Sequence, residues 1–207
     1  MTTQMRTGIT VVVFGDRRVP RSLATLPVVR IDDPAEVDAA ADGGRRLVVV
    51  GDEADLGAVL SRLMRKDLLD IEVAHVRLGG WDPLRVRRAL SGAARRVPLI
   101  RDDTGSVLVG AARWVPPGGS DTIHGEAVVD DTVLFDGAAT EVRIEPTPQL
   151  PGLRATVLGG SRRGWVTGRA AQLGTTGALV VRDGVPGARE VKRSTFYRHT
   201  TGWLRVD

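Results

Sequence analysis

The sequence predicts an α/β N-terminal half with a parallel sheet, followed by an antiparallel, β-sandwich-like half. Three observations carry this. From Gly43 to Gly80 the chain reads strand, helix, strand within one crossover length, which forces parallel pairing. The apolar period changes from helical to strand-like at Val97. Beyond it, short strand-forming runs are separated by Asp-Gly, Pro-Gly and Gly-Gly turns, the pattern of an antiparallel sandwich or curled sheet. The division gives a small α/β domain over residues 1–95 and a β-rich domain over 96–207.

Taken in order, Thr7 to Phe14 is mostly β-branched and reads as the first strand. Gly15-Asp16-Arg17-Arg18 is a loop, and no G-x-x-x-x-G-K-[ST] phosphate loop occurs anywhere. Val28 to Ile31 is a short strand. Asp33 and Pro34 supply an N-cap and a first-turn proline for a helix to Ala41. Leu47-Val48-Val49-Val50 is a fully buried strand. Asp52 then caps a helix whose Leu56, Val59, Leu60 and Leu63 share one apolar face, with Asp55 where a capping box puts its acid. This helix stops near Asp67, and Ile71 to Val76 is the next strand. Trp81-Asp82-Pro83 opens another helix, expected to run to about Ala94.

In the second half, Val97 to Ile100 and Ser106 to Val109 read as a hairpin turning at Asp102-Asp103-Thr104-Gly105. Further strands are expected at Ala127–Val129, Thr132–Phe135, Val142–Glu145, Leu153–Leu158, Ala178–Arg182 and Trp203–Val206. Gly174-Thr175-Thr176-Gly177 and Asp183-Gly184 read as hairpin turns.

The 207 residues are 42% hydrophobic, enough for a real core, and contain no cysteine. A disulfide framework and a thiolate zinc site are thereby excluded. Met1 to Thr10 lacks the apolar core of a secretory signal, and no run reaches the roughly 18 apolar residues of a membrane span. The expectation is a soluble, cytoplasmic protein without a transmembrane segment, a peripheral position at a membrane being compatible with it. Net charge is +4, and only Lys66 and Lys192 are lysines among 29 cations. Arg85, Arg87, Arg88, Arg95, Arg96 and Arg101 form an acid-free segment, and Arg154 to Arg205 holds ten cations against Asp183 and Glu190. Arginine-rich surfaces suit phosphate or an anionic membrane, which makes Arg85, Arg88, Arg95 and Arg96 a candidate anion-binding patch.

Ligands of open parallel sheets bind beyond the carboxyl ends of the strands, against the first turn of the next helix. That place is Gly51 to Asp55, so Gly51, Asp52 and Asp55 are the candidate phosphate loop. Asp52, Glu53 and Asp55 oppose an anion there. Each unpaired carboxylate about 5 Å from a phosphate charge costs about 3 kcal/mol at an effective dielectric near 20. The helix end returns only about 0.3–1 kcal/mol. Repulsion wins unless a divalent cation or arginines intervene. Asp52 and Asp55 are also the candidate metal ligands, although capping alone accounts for acids at these positions. Asp102-Asp103 and Asp130-Asp131 carry a metal-ligand and a turn reading side by side. His75, His124 and His199 are far apart in sequence and form no catalytic arrangement.

The order of elements resembles the diacylglycerol kinase and related lipid kinase family, which shares its architecture with NAD kinases. Three segments carry the resemblance. Val48 to Leu56, with Ala58-Val59-Leu60 behind it, lies where that family has its Gly-Gly-Asp-Gly-Thr loop and helix. Ala89-Leu90 through Val97-Pro98-Leu99-Ile100 and Gly110 looks like its link into the second domain. Gly168-Arg169-Ala170 through Val180-Val181-Arg182-Asp183-Gly184, then Phe196-Tyr197-Arg198-His199 and Trp203-Leu204, looks like its closing strands around Asp-Gly-Glu.

The resemblance implies a nucleotide and lipid site in the cleft between two domains, with Asp183 as the candidate catalytic residue. This chain departs from the pattern at both motifs. Val50, Glu53 and Ala54 stand where the family needs glycines, and Asp183-Gly184 is followed by Val185 rather than glutamate. The implied reading is a degenerate lipid kinase that binds a phosphate-bearing ligand, either a nucleotide or an anionic lipid, or else a protein partner. The enzyme alternative is an active ATP-dependent lipid kinase, in which Asp183 and Asp52 or Asp55 hold Mg2+. An arginine-rich nucleic-acid binder is the third class, weakened by an aromatic content of only 4%.

Overall fold

The computed structural model describes residues 8–77, 83–159 and 164–207. The chain divides into two compact units, one of Met1–Val97 with Gly202–Asp207 and the other of Pro98–Thr201.

The first unit begins with β1 (Ile9–Phe14), β2 (Val28–Ile31), a single 3-10 turn at Pro34–Glu36 and α1 (Val37–Ala41). It continues through β3 (Arg46–Gly51), α2 (Glu53–Arg65), β4 (Glu72–Arg77), α3 (Pro83–Ser91) and β5 (Ala94–Val97). β1 pairs in parallel with β2 and β3, and β3 pairs in parallel with β4. Every residue of β3 is buried, as a central strand of a parallel sheet covered on both faces must be. Successive side chains alternate between faces. Val11, Val13, Val48, Val50, Ala74 and Val76 therefore pack with Val86 and Ala89 of α3. Val12, Leu47, Val49 and Val73 serve the opposite face, and Leu56, Val59, Leu60 and Leu63 are the buried stripe of α2.

Two expectations for this unit are corrected. The helix expected to reach Ala94 ends at Ser91, and Val97, expected to open the first hairpin of the second half, instead closes the strand Ala94-Arg95-Arg96-Val97. Trp81 and Asp82, its expected start, lie outside the described residues. The cause of the early stop is long-range. Trp203–Val206, the last strand of the chain, returns to this sheet and pairs in parallel with β4 and antiparallel with β5. The Ala94–Val97 backbone thus finds hydrogen-bond partners about a hundred residues away.

The second unit is antiparallel throughout. Its strands are β6 (Ile100–Asp102), β7 (Val107–Leu108), β8 (Ala112–Val115), β9 (Ile123–Val129), β10 (Thr132–Ala139) and β11 (Glu141–Pro146), followed by β12 (Leu153–Leu158), β13 (Val166–Gly168), β14 (Ala170–Arg182), β15 (Val185–Pro186) and β16 (Val191–Arg198). They run in the order β13-β12-β11-β8-β14-β16-β6-β7, with β9 and β15 also on β14 and β10 on β9. β14 is the hub. Its first half pairs with β9 and its second half with β8, and the register against β16 slips between Gly174 and Ala178. The turn expected at Gly174–Gly177 is therefore an irregularity inside one long strand. On its β9 side the same segment is approached closely by Gly125, where a Cβ would lie 2.1 Å from the Gly174 carbonyl oxygen. At the core, Trp114 and Phe196 are fully buried with ring centroids 6.2 Å apart, and the Trp114 Nε1–H donates to Ser194 Oγ at 3.0 Å.

The turn at Asp183-Gly184 has the form expected of it. Both residues have positive φ (48° and 85°) and Arg182 pairs with Val185, as a two-residue hairpin of the type I′ class requires.

One buried cation anchors the first unit. Arg46, only 6% exposed, donates to Glu72 at 2.7 Å and to the Ala89 and Gly92 carbonyls at 3.0 and 2.9 Å. It thereby joins the amino ends of β3 and β4 to the carboxyl end of α3. Replacing Arg46 with alanine leaves two carbonyls without their donor and Glu72 with only the exposed Arg45, at an expected cost of about 3 kcal/mol. Urea unfolding of the full chain checks this; a loss below about 1 kcal/mol would contradict the anchoring role.

Candidate functional site

Because β1, β2, β3 and β4 are parallel, the residues that follow them collect along one edge of the sheet. β1 leads into Gly15-Asp16-Arg17, β2 carries Arg30 beside its last residue, β3 ends at Gly51, and β4 ends with His75-Val76-Arg77. Arg30 donates to the Gly15 carbonyl at 2.9 Å, which holds the first loop down. Arg17 then reaches the start of α2, where its guanidinium donates to Asp52 at 2.9 Å and to Asp55.

The α2 start is a complete capping box. The Asp55 N–H donates to Asp52 Oδ1 at 3.0 Å, and the Asp52 N–H donates to Asp55 Oδ2 at 2.8 Å. Gly51 has to be glycine for this to close, since a Cβ there would stand 2.2 Å from Asp55 Oδ2. Burial would raise the Asp52 carboxyl, but the Asp55 amide and the Arg17 charge outweigh it and hold it below its ordinary value. Glu53, the third acid, is paired with Arg77.

The repulsion expected at this turn belongs to unpaired carboxylates. Here arginines intervene, and each of the three acids has a guanidinium beside it. Neither Arg17 nor Arg77 is marked by a motif. The signal available in the sequence is positional: each follows, or ends, a strand of a sheet already known to be parallel.

His75 completes the edge. Its Nε2 lies 3.1 Å from the Gly51 carbonyl, which only accepts, so Nε2 carries the hydrogen. Burial pushes the imidazole below its ordinary value, partly offset by that carbonyl and by the charge of Glu53.

The remaining candidates belong to other elements of the chain. Asp183, in the second unit, accepts the N–H groups of Val109, Gly110 and Ala111 at 3.1, 2.7 and 3.0 Å, both carboxylate oxygens being used. It organises the bend that leads into β8. Arg85 and Arg88 are exposed on α3, whereas Arg95 and Arg96 are neighbours on β5 and so point to opposite faces. Arg95 pairs with Asp207 at 2.6 Å and Arg96 with Asp70. Arg95 and Arg96 of the candidate anion patch are therefore already paired. Asp102 is fully buried, accepts from Thr104 and Ser106 N–H groups, both at 2.9 Å, and pairs with Arg182. Asp130 accepts the Arg169 and Ala170 N–H groups, both at 2.9 Å. Both acids are turn organisers. Among the described residues, no three histidine or acidic side chains are grouped as metal ligands.

With this geometry in view, the solved structures are informative. An NAD kinase from Archaeoglobus fulgidus in complex with ATP superposes with a TM-score of 0.67 at 14% identity, over 96% of this chain and 93% of that one. A diacylglycerol kinase from Bacillus anthracis gives 0.72 at 11% identity, over 97% and 96%. The fold is that of diacylglycerol kinases and NAD kinases. A yeast NADH kinase complexed with NADH follows at 0.56 and 11% identity, over 95% of this chain and 74% of that one. No protein-family model and no curated protein sequence matches the chain. Within the diacylglycerol kinase and NAD kinase fold, the Val48–Leu56 segment forms the third strand, the turn and the start of α2. The segment around Asp183-Gly184 forms a hairpin in the antiparallel unit. Among the described residues, no helix is long and apolar enough to cross a membrane.

His75 makes the edge sensitive to pH. Its folded value is depressed from 6.5, so the unfolded chain binds the proton more readily. The stability contributed by neutral His75 is complete above pH 6.5 and is lost as the pH falls below it, at no more than about 1.4 kcal/mol per pH unit. Chemical denaturation of the parent and of His75→Gln between pH 7.5 and 5 should show a steeper decline for the parent. Parallel curves would rule His75 out as the source.

Proposed function

We propose that the chain is a lipid-kinase-like protein without phosphoryl transfer, which binds a phosphate-bearing ligand, a nucleotide or an anionic lipid head group, at the carboxyl edge of its parallel sheet. The observation that carries this reading is the closed set of bonds at the Gly51–Asp55 turn. Arg17, Arg30 and Arg77 give the edge its cations. Yet the α2 amide of Asp55 is taken by Asp52, and the Asp52 amide by Asp55. An incoming phosphate gains Arg17 only by drawing it away from two carboxylates.

Magnesium does not fit the carboxylates as they stand. Asp52 and Asp55 are committed to the capping box and to Arg17, and both oxygens of Asp183 accept backbone N–H groups. A general base needs a free lone pair within reach of the substrate hydroxyl. Val185, 55% exposed, stands where the family resemblance puts a glutamate and has no acid–base chemistry to offer. An active ATP-dependent lipid kinase is the competing reading, and it requires Asp183, and Asp52 or Asp55, to be released from these partners.

Two measurements test the proposal. Calorimetry should find ATP binding in the millimolar range, weakened further by Arg17→Ala and not tightened by magnesium. Micromolar, magnesium-dependent binding would overturn this. Labelled ATP with magnesium and mixed diacylglycerol vesicles should give no turnover. Val185→Glu alone should not restore it, although a positioned base is typically worth about 10²–10⁴-fold in rate. Catalytic lipid phosphorylation by the parent chain, abolished by Asp183→Ala, would establish the kinase instead.

A further inference from the structure

The second unit exposes two large apolar side chains at one end of a hairpin. Leu158, 36% exposed, closes β12, and Trp165, 41% exposed, immediately precedes β13. The antiparallel register, Ala155 with Val166 and Arg154 with Thr167, places both at the same end of the β12–β13 pair. Each strand has other means of burying its apolar residues. Leu153 and Ala155 face the core, and Val157 and Val166 pack against it. Leu158 and Trp165 are left outside.

Their surroundings are cationic. The Arg154 guanidinium lies 4.3 Å above the Trp165 ring. Arg154 and Arg143 share one carboxylate, that of Glu145, at 2.6 and 2.7 Å, which leaves one positive charge uncompensated. The sequence extends this bias, since residues 146–182 contain five arginines and no acidic residue. A half-exposed tryptophan under an arginine, with an exposed leucine at the same end of the strand pair, matches the boundary of an anionic bilayer. There an indole sits at head-group depth, an aliphatic chain reaches the acyl region and guanidinium groups meet phosphate. A single-stranded nucleic acid would need an open ring face for base stacking, and Arg154 already covers one face of Trp165.

We infer that Leu158, Trp165 and Arg154 form a docking surface for an anionic lipid membrane. The inference stands apart from the phosphate-binding reading, because no residue of the carboxyl edge takes part in it.

The test is co-sedimentation of the full chain with vesicles of phosphatidylcholine containing 0 or about 40% phosphatidylglycerol, at about 0.1 and 0.5 M salt. Binding should require the acidic lipid and fall with salt, and a Leu158→Ser, Trp165→Ser variant should bind about tenfold more weakly or worse. A thermal melt shows whether that variant remains folded. In the parent chain, brominated lipid should quench tryptophan emission, and a Trp165→Phe variant should lose the quenched component. Undiminished binding by the folded double variant would overturn the docking surface. So would equal binding to neutral vesicles, or quenching unaltered in Trp165→Phe. Displacement of the vesicles by a short oligonucleotide that itself quenches Trp165 would reassign the surface to nucleic acid.

Discussion

Parallel pairing is the constraint on which the first unit depends. Two parallel strands cannot be joined by a tight turn, so each connection must cross the sheet and bring a loop back to the same edge. Residues 15–17, 51–55 and 75–77 share no motif and span about sixty positions, yet the topology delivers them to one place. The charges found there follow from this. An acid pair that caps α2 would otherwise face like charges only, and Arg17 arrives from the β1 loop to balance it.

The opposite edge is held by a different device. Arg46 is buried at the amino end of β3 and satisfied by Glu72 and two carbonyls from the end of α3. A buried ion pair is weak evidence for net stability, because desolvation offsets much of its attraction. Its value here is geometric. The guanidinium has several donors in fixed directions, and filling them sets the position of α3 relative to the two central strands. The second unit achieves fixed geometry by apolar means, with Trp114 and Phe196 packed in the centre and the single indole N–H satisfied by Ser194.

At the candidate site the balance between stability and binding is set by who holds the donors. A capping box stabilises α2 by about 1 kcal/mol, and a partly exposed arginine–aspartate pair adds less. These are small energies that a polyphosphate could overcome. They are nonetheless spent on internal partners, whereas a phosphate loop with glycines in place of Val50, Glu53 and Ala54 would leave backbone amides facing outward. The same logic governs Asp183, whose carboxylate folds the Val109–Ala111 bend instead of facing open solvent.

What the sequence determined by itself is local. Strand periodicity, the Asp52 cap with its partner three residues on, the stripe of α2 and the Asp183-Gly184 turn are each decided within one or two turns of chain, where side-chain spacing and backbone preference act directly. The change of period at Val97 likewise exposed the two kinds of sheet. Tertiary structure decided everything that needed a distant partner. Ala94–Val97 became a strand because Trp203–Val206 came back to pair with it, and Gly174–Gly177 stayed extended because β9 and β8 hold β14 on either side of that segment. Arg17 and Arg77 became part of the candidate site, and Arg95 and Arg96 were drawn to Asp207 and Asp70, for the same reason. Hydrogen-bond ladders and ion pairs join groups by proximity in space, and in a parallel sheet that proximity is set by crossovers whose closure no short window of sequence encodes.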